Sequence, residues 1–102
     1  MIRLFTALVF VLLLASSASA QSFGPKTYPD CTMLYVKRAA SRDGKMLVRR
    51  ACKCRFQDQN DPECKGYSQK ALDCIITNVL PVEHDEEVWG VERACRTKHP
   101  VQ

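Results

Sequence analysis

Beyond residue 20 the chain has no run approaching ~18 consecutive apolar residues, so no transmembrane helix is expected there. It has no CxxC, which removes the thioredoxin-type redox motif. Paired CxxC knuckles are also missing, and the two histidines, His84 and His99, lie too far apart for ligand spacing, so no zinc site is expected. The C-x-G-x-C of growth-factor cystine knots does not occur. Ser41 and Ser68 have no triad motif around them. The acidic loop Asp58, Asn60, Asp61, Glu63 lacks the turn glycine and the distal Glu of a calcium loop. There is no N-x-S/T acceptor for glycosylation. These absences leave no catalytic candidate and no cofactor, so a non-enzymatic protein is expected.

What is present begins with Arg3, the apolar run Leu4 to Ala15 and the small-x-small pattern Ala18-Ser19-Ala20. Together they predict a secretory signal peptide over residues 1–20, cut after Ala20, and an extracellular destination. Residues 21–102 then form one domain, too small to rely on its core alone. All six cysteines fall in that part: Cys31, Cys52, Cys54, Cys64, Cys74 and Cys95. An even count in a short secreted chain predicts three disulfides. The intervals between successive cysteines are 20, 1, 9, 9 and 20 residues, a near-mirror behind which no internal repeat is read.

The expected fold is a small disulfide-rich α+β domain, an N-terminal β-hairpin followed by two short helices. Residues 21–30, with Gly24, Pro25 and Pro29, read as an irregular lead-in. Residues 32–39 and 46–56 are rich in strand-favouring types, and Asp43-Gly44 between them is a two-residue turn signal. In that register one strand face carries Met33, Tyr35, Ala39, Val48, Cys52, Cys54 and Phe56 as the core side. Arg38, Arg49, Lys53 and Arg55 share the other face. Residues 57–67 read as a loop stapled by Cys64. The stripe Ala71, Leu72, Ile75, Ile76, Val79, with Ser68 as N-cap and Pro81 as stop, predicts a helix. A second helix is expected over about 85–97, with Asp85, Glu86 and Glu87 at its start and Arg93, Arg96 and Lys98 towards its end. If both helices pack on the cysteine side of the hairpin, Cys74 and Cys95 are the natural partners of Cys52 and Cys54. That leaves Cys31 with Cys64, one of fifteen possible pairings.

Charge is segregated. Between Lys37 and Arg55 lie eight basic residues and one acid, Asp43; between Glu83 and Glu92 lie five acids and no Lys or Arg. In the hairpin register Arg38 would face Arg49, a destabilising like-charge pair that something should offset. Either the chain's own acidic segment lies across the hairpin, or an acidic partner does. At class level the chain resembles the compact cysteine-stapled proteins of venom or saliva, which act by binding. The expected function is a secreted toxin-like or effector protein binding an acidic extracellular target through Arg38, Arg42, Arg49, Lys53 and Arg55. Such targets include the outer mouth of a cation channel, a receptor, an anionic membrane or a sulfated glycan. An exposed Arg42 at the hairpin tip would alternatively suit a trypsin-like S1 pocket, making the protein a protease inhibitor. A cationic membrane-active protein is a third possibility. Nucleic acid is not expected, since the basic face has no aromatic platform.

Overall fold

The computed structural model describes residues 24–102. The expected signal peptide, residues 1–20, lies outside them. The described residues form four α-helices and no strand: α1 Tyr28–Tyr35, α2 Arg42–Phe56, α3 Gln69–Val79 and α4 Asp85–Lys98. Single 3-10 turns at Val36–Arg38 and Pro62–Cys64 extend α1 and interrupt the α2–α3 linker.

The N-terminal β-hairpin is therefore replaced by a helical hairpin, and the reason is local. A two-residue hairpin turn of the type favoured by Asp-Gly needs φ above zero, and no glycine among the described residues has positive φ. Ser41 instead caps α2, its Oγ accepting from the Gly44 N–H at 2.8 Å. Asp43 then falls in the first helical turn, where the helix dipole favours an acid. From there Gly44, Leu47, Val48, Ala51 and Cys52 are buried at i, i+3, i+4, i+7 and i+8, the period of a helix and not of a strand. A Cβ at Gly44 would stand 2.7 Å from Ser41 Oγ, so the glycine is there for close approach. The lead-in is corrected as well. Thr27 caps α1 by accepting from the Asp30 N–H, and Pro29 sits in the first turn, where its missing N–H costs nothing. Met33, expected in the core, is 68% exposed.

The other two helices start where the sequence places them. Ser68 Oγ accepts from the Ala71 N–H at 3.0 Å, and α3 buries Ala71, Leu72, Ile75, Ile76 and Val79. The start of α4 carries Asp85, Glu86 and Glu87, and its last turn Arg96 and Lys98.

Three disulfides staple the bundle: Cys31–Cys52, Cys54–Cys64 and Cys74–Cys95. This replaces the pairing of Cys52 and Cys54 with Cys74 and Cys95. On a helix, residues two apart point in widely different directions, so Cys52 turns to α1 and Cys54 to the linker.

The connectivity also exposes a repeat. Cys31–Cys52 clamps α1 to α2, Cys74–Cys95 clamps α3 to α4, and both have a sequence separation of 21. Cys31 and Cys74, Cys52 and Cys95, and the N-caps Ser41 and His84 are related by one shift of 43 residues. Under that shift VRRACK, residues 48–53, overlies VERACR, residues 91–96. The near-mirror of cysteine intervals is therefore two stapled helical hairpins plus one extra bridge, Cys54–Cys64, with no counterpart in the second unit. The units pack through α2, which lies against both α3 and α4. Leu47, Val48, Leu72, Ile75, Ile76, Val79 and Val88 form the shared core. Burial of each such side chain is worth roughly 1.5–3 kcal/mol.

Candidate binding face

Helix geometry divides the basic block into two sets. Lys53 and Arg55 belong to the first. Lys53 Nζ lies 3.1 Å from Asp61 and 3.5 Å from Glu63 on the linker. The Asp61 carboxyl accepts the Glu63 backbone N–H and the Lys53 ammonium, and both hold its pKa below the ordinary carboxylate value. The same contact, with Asp61 foremost, raises Lys53. Arg55 Nε donates to Asp73 at 2.8 Å, tying α2 to α3. These two cations are structural ties within the chain. Arg50 also turns inward, over the Trp89 ring at 5.9 Å.

The second set is Lys37, Arg38, Arg42 and Arg49. All four are exposed, and no salt bridge among the described residues involves them. Arg42, Lys45 and Arg49 recur at i, i+3 and i+7, so α2 presents them along one side, away from its core stripe. Lys45 Nζ donates to the Ala39 carbonyl at 2.6 Å, which fixes the 3-10 turn against α2. Between α1 and α2 runs a shallow groove lined by Thr32, Met33, Val36, Lys37, Lys45 and Arg49. Its apolar members come from α1 and the 3-10 turn, its cations mostly from α2. Met46, 46% exposed, and Leu34, 44% exposed, add to the apolar surface nearby.

The acidic segment 83–92 does not cover this face. Asp85 Oδ1 accepts from the Asp43 N–H at the start of α2, and Trp89 Nε1 donates to Asp43 Oδ2 at 2.9 Å. Glu92 accepts from Tyr67 OH at 2.8 Å and from Arg96 Nε at 2.6 Å. Burial first, and Glu92 second, raise the Tyr67 pKa. Glu83, Glu86 and Glu87 remain exposed at the start of α4. None of these three makes a salt bridge to the basic block among the described residues.

Of the five residues expected to bind, Arg38, Arg42 and Arg49 stay outward, while Lys53 and Arg55 are spent on internal pairs. Strand reasoning passed over Lys45, Met33 and Val36. A helical period read from Gly44 onward would have placed Lys45 beside Arg42 and Arg49. Arg42 lies in the first turn of a helix and not at the tip of an extended loop. The loop acids Asp61 and Glu63 face Lys53.

Fold and cysteine framework together define a small cysteine-rich, all-helical protein held by three disulfides. The family model described as "Four-cysteine protein VF_A0006-like" matches residues 8–99, and the chain belongs to that family. Four is also the number of cysteines in the two repeated clamps, Cys31–Cys52 and Cys74–Cys95. Comparison with curated proteins and with solved structures finds no match. No helix of the described residues is long and apolar enough to cross a membrane.

Proposed function

We propose that the protein is a secreted, non-enzymatic binding protein of the toxin or effector kind. It engages an acidic extracellular target, such as the mouth of a cation channel, through the outer side of α1 and α2. The observation that carries this reading is the division of the basic block. The chain neutralises Lys53 and Arg55 with its own carboxylates but leaves Lys37, Arg38, Arg42 and Arg49 exposed, Lys37 and Arg49 lining a groove with Met33 and Val36. Unpaired cations of one sign on one side steer acidic partners and specify them. Three disulfides support the extracellular setting, because such bridges persist in oxidising compartments. The test is electrophysiology on a panel of cation channels, with Arg38, Arg42 and Arg49 changed together to Ala. The reading expects current block that the triple variant loses. Absence of block at micromolar concentration, or a variant as potent as the parent, refutes the channel target.

A second reading draws on the exposed Met33, Leu34 and Met46 next to the same cations. Apolar side chains flanked by Lys and Arg are the composition of a surface that lies on anionic lipid. Leakage from anionic but not zwitterionic vesicles, fading with salt, is its signature. The protease-inhibitor alternative keeps less support, since Arg42 is held in helical backbone.

A further inference from the structure

The repeat says what shape of partner the basic groove takes. The six groove-lining residues Thr32, Met33, Val36, Lys37, Lys45 and Arg49 correspond, under the 43-residue shift, to Ile75, Ile76, Val79, Leu80, Val88 and Glu92. In the second unit none of these six is exposed, and Ile75, Ile76, Val79 and Val88 have no solvent contact at all. What covers that face is a helix. It is α2, which packs on α3 and α4. A Cβ on Gly44 would be 3.7 Å from Val88 Cγ2, and the Ala40 N–H just before α2 donates to the Leu80 carbonyl at 3.0 Å. The same face of the same stapled hairpin is thus occupied by a helix in one unit and open in the other.

We infer that the open groove of the first unit is a docking site for an amphipathic α-helix of a partner protein, with an aliphatic seam for Met33 and Val36 and acidic flanks for Lys37, Lys45 and Arg49. This deepens the basic-face proposal and rests on it. The charge follows from the lining: where the second unit has Leu80, Val88 and Glu92, the first has two lysines and an arginine, so its occupant must differ from basic α2 and carry acids. A second copy of this chain fits poorly. The surface of its α4 equivalent to the Gly44, Leu47, Ala51 surface of α2 carries Glu87, Gly90 and Ala94. It supplies the acid but no aliphatic side chain larger than the Ala94 methyl to fill the groove.

The experiment uses three synthetic peptides of about the length of α2 and the protein purified from an oxidising secretory host. One peptide is an amphipathic helix with Leu at i, i+3, i+4 and i+7 and Glu on both flanks. The second has the same composition scrambled to abolish the apolar face. The third replaces Glu by Lys. Calorimetry should show saturable binding of the first alone, weakened about tenfold or more by Arg49→Glu, with the methyl resonance of Met33 shifting on titration. Met33→Asp, a change at an exposed position, should weaken binding similarly while leaving the far-UV circular dichroism unchanged. Equal binding of the scrambled acidic peptide overturns helix docking and leaves the basic-face reading standing. Binding of neither acidic peptide overturns both. Concentration-dependent dimerisation of the protein alone that the first peptide competes away and Met33→Asp abolishes assigns the groove to a second copy and overturns the partner assignment.

Discussion

The two stapled hairpins share their cysteine spacing, the start position of their second helix and four of six residues in one stretch, yet they meet solvent in opposite ways. The second, α3 and α4, buries the face around Ile76, Val79 and Val88. In the first, α1 and α2, the same face carries Met33, Lys45 and Arg49 and stays open. Burial in the first unit lies on another side of α2, around Leu47 and Ala51, where the second unit has Gly90 and Ala94. One supersecondary unit has thus been used twice, once as the wall of a core and once as a surface, and the choice is written in a few side chains. A disulfide joins two helices without specifying what their outer face meets, so charge and size at that face are available to decide what covers it.

The largest effects should come from breaking the clamps. Replacing Cys31 and Cys52, or Cys74 and Cys95, by Ala should each cost about 2–4 kcal/mol in denaturant unfolding. The Cys54–Cys64 pair closes a shorter loop of separation 10 and lies outside the repeat, so its removal should cost less. Equal losses for all three would deny that the repeated clamps carry the fold.

Next comes the start of α2. Ser41→Ala should cost about 1 kcal/mol, since it orphans the buried Gly44 N–H. Gly44→Ala should destabilise too, because its Cβ would collide with Ser41 Oγ. The contrasting change is Gly90→Ala in α4, where a Cβ meets nothing within 4 Å. It should stabilise by roughly 0.5–1 kcal/mol through helix propensity alone. Chemical melts of the pair would show opposite signs if the two long helices differ in packing as described.

The smallest effects concern titration. The Tyr67 pKa is raised above its ordinary 10.0, so its contribution to stability is complete below pH 10 and is lost as pH rises through the higher folded value. The difference between phenolate absorbance curves of the parent and Tyr67→Phe should have its midpoint above pH 10. Asp61, whose pKa is lowered from 3.8, contributes in the opposite window. Its part is present above pH 3.8 and is lost as pH falls through the depressed value. Because Asp61 is solvent-accessible, Asp61→Asn should shift acid unfolding only slightly.

Much of the second unit was legible in the sequence. Ser68, the stripe from Ala71 to Val79, and Pro81 name α3 without ambiguity, and the Asp85–Glu87 start and basic end do the same for α4. In the first unit Asp43-Gly44 carries two meanings. It is a hairpin turn if its φ angles are positive, and the first turn of a helix if Ser41 caps. Cysteines at 52 and 54 fit strand alternation as well as they fit a helix with two differently directed staples. Local pattern did not separate these. Packing did, because only the helix buries Leu47, Val48 and Ala51 together in the core shared with α3 and α4. The binding residues inherit that ambiguity. Arg42 and Arg49 are outward in either fold, whereas the fates of Lys53 and Arg55 depend on where Asp61 and Asp73 come to rest.

By itself, the sequence determined the composition of the problem: six cysteines in one small region, a basic block ahead of an acidic one, and helix signals in the second half strong enough to stand without context. Those features rest on local chemistry, on capping, period and charge, which neighbours in the chain suffice to express. Only the tertiary structure decided the pairing of the cysteines, the repetition of the hairpin and the division of the cations. Each of those depends on which helix face meets another helix, a contact between residues far apart in the chain that no local pattern encodes.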